Sequence, residues 1–281
     1  MTGASLAIDI SKVSGDQRVS EADSVAVEEP LEIQLSSSVA PGAAAKSISI
    51  TMRTPGDDAE LAVGFLYTEG IIQGGDQLAS VEHCGTPTDD NGFRNIIRVA
   101  LKPDVEVDLD RLQRHFYTTS SCGVCGKSSL EALRVTGQES LIDKTVTFRR
   151  TVIVGMPDKL AAEQQIFTRT GGLHAAAVFD QAGEILFVSE DVGRHNAVDK
   201  VVGALLLEGK LPANELGLMV SGRASFELMQ KALVAGIPTL VAVSAPSSLA
   251  VKLAHEFDMT LIGFLRQGNF NIYAGEQRVI E

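Results

Sequence analysis

The chain predicts an α/β layered domain in its C-terminal part, preceded by a smaller α+β unit. Beyond residue 170, apolar strand-like runs alternate with helical ones, an order that packs helices over a substantially parallel sheet. Strands are expected at residues 175–179, 185–188, 217–220, 239–243 and 260–264, and helices at 197–208, 225–235 and 248–256. Earlier in the chain, strand-like stretches at 26–35, 46–52 and 93–101 flank one amphipathic segment, TPGDDAELAVGFLYTEGII. There Pro55 and Gly56 form a turn, Asp57 or Asp58 caps a helix, and Leu61, Phe65 and Leu66 make an apolar stripe ending near Gly70.

The remaining segments follow from composition. Residues 1–20 are polar and aperiodic and read as a flexible arm, SSSVAPGAAA reads as a loop, and the acidic stretch to Asp110 leads into a short helix. The expected organisation is an arm over 1–20, an N-terminal α+β subdomain over 21–118, and a second domain over 119–281 that carries the chemistry.

A net charge of -12 over 281 residues argues against a general surface for nucleic acid or anionic membrane. The charge is uneven: residues 1–120 hold 9 Lys and Arg against 19 Asp and Glu, and the rest hold 15 against 17. An anionic ligand is therefore compatible with the second part, and the acidic first part is a candidate docking surface for a protein partner. The three cysteines, Cys84, Cys122 and Cys125, and the lack of a basic, apolar leader at the start point to a cytoplasmic location. The uncharged run 232–251 is interrupted by Gly236, Pro238 and Pro246, so no membrane span is expected.

The sharpest motif is TTSSCGVCGK, residues 118–127. Two thiols three positions apart, beside glycines, with Lys127 and an expected helix start nearby, favour thiolate. A thiolate is the species needed for sulfur or disulfide exchange. A structural zinc half-site would need a second ligand pair, and the sequence offers only Cys84 and five scattered histidines. A thioredoxin-like pair would need a preceding βαβ unit. Inert packing suits the Gly- and Ser-rich surroundings poorly, and a nucleophilic sulfur carrier is the further reading.

Four arginines sit in Gly-, Ser- or Asn-containing turns expected at strand exits: Arg169 in TRTGG, Arg194 in DVGRHN, Arg223 in SGRAS and Arg266 in FLRQGN. Along the carboxyl edge of an open α/β sheet, glycines admit close approach, helix N-termini attract anions and arginine forks match phosphate. Their repetition points to a ligand with several phosphates. His195, beside Arg194, is a further site candidate, whereas His174 and the His83-Cys84 pair read as structural. The zinc deaminase signature and a GxSxG elbow are both missing.

Together with EEPLEI, MRTPGDDAELAVGFLYTEGII, SSCGVCGKSSL, TRTGGLHAAAVFD, EDVGRHNAVDKVVG, SGRASFELMQKA and LIGFLRQGNFNIY, these loops make the chain resemble the formate dehydrogenase accessory sulfurtransferases of the FdhD type. The resemblance implies a three-layer α/β/α sandwich similar to cytidine deaminase. It also implies a sulfurtransferase that accepts sulfur from a cysteine desulfurase as a persulfide and passes it to the molybdenum bis(molybdopterin guanine dinucleotide) cofactor of formate dehydrogenase. On that basis Cys122 bears the persulfide and Cys125 assists. The residues Phe264, Leu265, Arg266, Gln267, Gly268 and Asn269 match the family's cofactor-binding stretch, with the guanine nucleotide moiety of the cofactor as the bound partner; no structural metal is needed, and a homodimer is expected. A cofactor-binding chaperone without sulfur chemistry, and a dithiol oxidoreductase, are the alternative readings.

Overall fold

A computed structural model describes residues 3–36, 45–87, 92–105, 107 and 146–281, a mixed α/β arrangement in which the described residues form four sheets and six α-helices. The Cys122–Cys125 loop, the boundary near residue 118 and the short helix expected after Asp110 lie outside the described residues.

A long hairpin opens the chain. Strands β1 (Ser5–Ser14) and β2 (Gln17–Ala26) pair antiparallel around Gly15, whose φ of 58° suits a tight primed turn. This replaces the loose arm expected over residues 1–20. Leu6, Val13 and Val19 stay exposed on it, so no buried face imprints a clear alternation on the sequence. Its base is held by a small cluster of Ala4, Ile166 and Leu173.

The second sheet runs β4-β3-β6-β5, from β3 (Glu29–Ser36), β4 (Lys46–Arg53), β5 (Leu78–Cys84) and β6 (Ile96–Leu101). Its centre, β3 beside β6, is parallel, and both outer strands are antiparallel. Helix α1 (Asp58–Thr68) covers one face, burying Leu61 and Leu66 against Leu31, Ile33 and Val99. Neither aspartate caps this helix through its side chain. Asp57 takes a left-handed conformation, and the Asp58 carboxylate is instead held by the Nε and Nη2 of Arg53, a stronger partner than a backbone N–H.

The third sheet has six strands in the order β13-β12-β11-β10-β8-β9. They are β8 (His174–Phe179), β9 (Ile185–Asp191), β10 (Gly217–Val220), β11 (Thr239–Ala242), β12 (Thr260–Arg266) and β13 (Asn269–Ala274). Only the β10–β11 and β11–β12 pairings are parallel. The outer pairings are antiparallel because residues 180–184 and 267–268 are too short for a crossover. A parallel pair of short strands, β7 (Phe148–Arg149) and β14 (Val279–Ile280), makes the fourth sheet.

Helices cover both faces of the six-stranded sheet. On one face, Ala176, Leu218, Leu240 and Leu261 pack beneath α4 (Arg194–Leu207), α5 (Phe226–Val234) and α6 (Ser248–Glu256), which follow β9, β10 and β11. On the other, Ala177, Met219, Val241 and Ile262 meet Ile153, Met156 and Leu160 of α2 (Arg150–Glu163). Gly155 and Pro157 punctuate α2 and obscure it in the sequence. A short helix, α3 (Gln165–Thr170), leads from there to β8.

The two larger sheets meet through α1 and α4. A Cβ placed on Gly64 would lie 1.9 Å from the Asp199 carbonyl oxygen, and one on Gly203 would lie 1.9 Å from that of Glu60. The helices therefore touch backbone to backbone, and Leu206 of α4 joins the core of the smaller sheet. Gly203→Ala is expected to destabilise the fold by at least about 3 kcal/mol in urea denaturation. Gly155→Ala, in α2 with open space around it, should instead stabilise by about 0.5 to 1 kcal/mol.

Candidate functional site

Strands β9, β10, β11 and β12 all run in one direction, so their carboxyl ends share an edge. Because β8 runs the opposite way, its first residue, His174, lies at the same edge. The loops there are bonded to one another in series. The Ser221 Oγ accepts from the Ala175 N–H at 2.8 Å, and the Ser221 N–H donates to the Ala175 carbonyl. Ser244 N–H donates to Gly222 O, Ser247 N–H to Ala224 O, and Phe264 N–H to Ser244 O, at 3.3, 2.9 and 3.2 Å.

Three of the four expected arginine loops are strand exits at this edge. Arg194 begins α4 after β9, Arg223 follows β10, and Arg266 ends β12. Arg169 is different: it lies in α3, ahead of β8, and its Nε donates to the Gln165 carbonyl of its own helix. Its segment still leads to the edge, because Gly171 and Gly172 run into β8 while Glu190 accepts from the Ile166 and Phe167 N–H groups. Helix α4 starts at this edge with no side-chain cap, so its first N–H groups and positive dipole end are turned to it, whereas the first turn of α5 already holds the Glu227 carboxylate on its own backbone N–H. In α6 the Ser247 hydroxyl accepts from Ala250 instead.

The FLRQGN segment is a hairpin turn. Phe264 and Gln267 have φ of 56° and 51°, and Gly268 has 76°. Left-handed backbone at a phenylalanine is strained for an L-residue, and such strain collects at ligand sites. The Arg266 guanidinium lies 5.9 Å from the Phe264 ring centroid. Arg266, Gln267, Gly268 and Asn269 are exposed, whereas the Leu265 side chain is wholly buried in the core with Phe148 and Ile153. The expectation that Leu265 touches a ligand therefore reduces to its backbone.

Sequence reasoning missed what holds the Arg194 loop. Asp191 is fully buried, and its Oδ1 accepts from the Gly193 N–H at 2.8 Å and the Asn196 amide at 2.9 Å. Its Oδ2 accepts from the Thr54 N–H and pairs with the buried Lys200 ammonium at 2.8 Å. Lys200 also donates to the Thr54 carbonyl, and Asn196 to the Met52 carbonyl. The loop carrying Arg194 is thus fastened to the end of β4, more than 130 positions earlier. No local motif signals contacts of that range, although DVGRHN and RTPGDD each contribute half of the network.

His195 turns from the edge toward the seam between the two larger sheets. It lines a cavity of about 300 Å³ with Phe65, Glu69, Asn196, Glu227 and Lys231. Its Nε2 is buried without a hydrogen-bond partner. At the floor, the Lys231 ammonium donates to Asp199 at 2.9 and 3.0 Å and to the Thr68 hydroxyl at 2.9 Å. Burial opposes that charge, but Asp199 and Glu69 outweigh it and hold the Lys231 pKa above its ordinary value.

Both histidines are kept neutral. Burial first, and then Arg194, push His174 below the usual imidazole value, with Asp191 opposing. Burial, Arg194 and Lys231 push His195 to about 4 from 6.5. Unfolding releases His195 to take up a proton, so its contribution is complete above about pH 6.5 and lost as pH falls toward 4. Between pH 7 and 5 this site should cost about 2 kcal/mol of stability. Denaturant melts of His195→Gln should show a correspondingly flatter dependence over that interval.

The FdhD/NarQ family profile matches residues 26–280. A protein named sulfur carrier protein FdhD from Streptomyces avermitilis is 51% identical over 259 residues, covering 92% of this chain and 89% of that one. Its namesake from Mycobacterium tuberculosis is 45% identical, with 95% of each chain covered, and that from Saccharolobus solfataricus is 41% identical, with 96% of each covered. A crystal structure described as a putative formate dehydrogenase accessory protein from Desulfotalea psychrophila superposes with a TM-score of 0.73 over 99% of this chain and 100% of that one. At 22% identity that likeness concerns the fold. With the family profile spanning nearly the whole chain and relatives this similar along their full length, the chain belongs to the FdhD/NarQ family.

Proposed function

We propose that this protein is a sulfur carrier that serves formate dehydrogenase, taking sulfur as a persulfide on Cys122 and handing it to the molybdenum bis(molybdopterin guanine dinucleotide) cofactor. Kinship with the sulfur carrier proteins of Streptomyces avermitilis and Mycobacterium tuberculosis supports the sulfur-carrying part. The observation that carries the acceptor side is the single sheet edge that Arg194, Arg223 and Arg266 share with the uncapped start of α4. Such an edge suits the pyrophosphates of a dinucleotide. The strained hairpin at Phe264 and Gln267 offers its backbone, open at Gly268, and the exposed Arg266, Gln267 and Asn269 side chains to the same ligand.

The chemistry requires a thiolate at Cys122. It attacks the terminal sulfur of the desulfurase persulfide, the donor's S–S bond breaks, and the electron pair leaves on the donor cysteine sulfur. A nucleophilic group of the acceptor then supplies the electron pair that bonds the outer sulfur, the Cys122 S–S bond breaks, and its pair returns to Cys122 as thiolate, with Cys125, three positions on, to assist. Arg169, Arg194 and Arg223 complete the proposed ligand set at the edge, whereas His195, next to Arg194 in the chain, lines the seam cavity instead. A homodimer, a cytoplasmic setting and kinship of the scaffold with cytidine deaminases belong to the same reading. The described residues contain no group of three or more acidic, His or Cys ligands fit for a metal, and no helix among them is long and apolar enough to cross a membrane.

Two measurements test the two sides separately. Incubation with a cysteine desulfurase and free cysteine should add the mass of one sulfur atom, and Cys122→Ala should abolish that gain. Guanosine diphosphate titrated by calorimetry should bind about tenfold more weakly to Arg266→Gln than to the wild type. Sulfur loading that persists in Cys122→Ala would overturn the assignment of that thiol.

A further inference from the structure

The RTPGDD turn contributes Thr54 to the network at Asp191, but its charged residues face elsewhere. Arg53 is 1% exposed, and its Nε and Nη2 donate to the Asp58 carboxylate at 2.9 and 2.8 Å. Nη2 also reaches the Asn95 side-chain oxygen at 3.4 Å. The remaining donor arm, Nη1, is buried and has no hydrogen-bond partner among the described residues. A buried guanidinium N–H without an acceptor is costly, and native structures seldom leave one so.

Arg53 lines a cavity of about 370 Å³, separate from both the sheet edge and the seam cavity. His83, Arg94, Gly56, Gly92 and Phe93 line it as well. His83 is 37% exposed and its Nε2 lies 3.3 Å from the Asp58 Oδ2, so two cationic or donor groups already draw on that carboxylate. Arg94 is exposed and makes no ion pair among the described residues. Gly56 has a φ of 114° and nothing within 4 Å of its missing Cβ, which leaves its backbone open to approach. Asp57, the other acidic residue in the lining, is exposed and screened by water.

We propose that this cavity binds one small oxyanionic group, a phosphate or a carboxylate, with Arg53 Nη1 and Arg94 as its donors and His83 at its margin. The acceptor oxygens satisfy the orphaned arm of Arg53, and the Asp58 clamp presents that arm in a fixed direction. The volume suits a small metabolite or a single anionic substituent rather than a dinucleotide. The inference is independent of the sulfur-carrier reading, because it uses none of the residues proposed to take part in transfer.

The test is NMR of the full chain labelled with nitrogen-15 arginine, titrated with inorganic phosphate and, separately, with acetate at constant ionic strength. The Asp58 bond shelters the Arg53 Nε–H from exchange, so its resonance is a usable reporter. A saturable shift with phosphate alone identifies a phosphate site, with acetate alone a carboxylate site, and with both a general oxyanion site. The affinity should fall about tenfold in Arg94→Gln and stay unchanged in Arg266→Gln, both substitutions of exposed residues. No saturable shift with either anion would overturn the proposal. So would a response that survives intact in Arg94→Gln but disappears in Arg266→Gln, which would place the anion at the sheet edge.

Discussion

The crossing of α1 and α4 is the constraint on which the remaining structure depends. Gly64 and Gly203 let the two helices approach until carbonyl oxygens occupy the space of a methyl group. Glycine inside a helix costs about 0.5 to 1 kcal/mol relative to alanine. That cost is offset by the contact it permits, since Leu206 reaches the smaller core while Ala197, Val198 and Val201 on the same helix serve the larger one. One helix thus forms a wall of both cores, and the position of the smaller sheet fixes the position of the α4 N-terminus.

Polar contacts then convert that packing into a defined geometry at the edge. Two buried lysines on or beside the crossing are paired with aspartates, Lys200 with Asp191 and Lys231 with Asp199, and each pair is completed by groups from the smaller unit, Thr54 in one case and Thr68 in the other. Buried ion pairs contribute little net stability on average, but losing one partner leaves an uncompensated charge and costs about 3 to 5 kcal/mol. Their effect here is to admit one relative placement of the two sheets. Arg194 and the start of α4 are held in that placement, facing the loops after β10 and β12.

Much of the larger sheet was legible in the sequence because its signals are local. The α6 helix matches the expectation of 248–256 to the residue, helped by Pro246 and the capping Ser247, and β10 matches as well. Three of the four arginine turns were legible, because glycine and arginine recur where β9, β10 and β12 end; Arg169 was not, since a short helix carries it. Strand direction was not, since it depends on whether a connection is long enough to cross over. The first hairpin was hidden because neither face is buried, and α2 because Gly155 and Pro157 interrupt it. Asp58 was mistaken for a cap because the competing partner, Arg53, lies on the other side of a turn whose geometry composition alone does not specify. The Asp191 network was illegible for a simpler reason: its members are distant in the chain and individually unremarked.

The central claim is that one sheet edge, positioned by the α1–α4 crossing, receives the dinucleotide end of the sulfur acceptor. A crystal structure of the full chain with guanosine diphosphate tests it most directly. The account predicts the diphosphate against the first turn of α4, within reach of Arg194, Arg223 and Arg266. A nucleotide bound instead in the groove lined by Gly70 and Leu211, beyond the C-terminal end of α4, would contradict it.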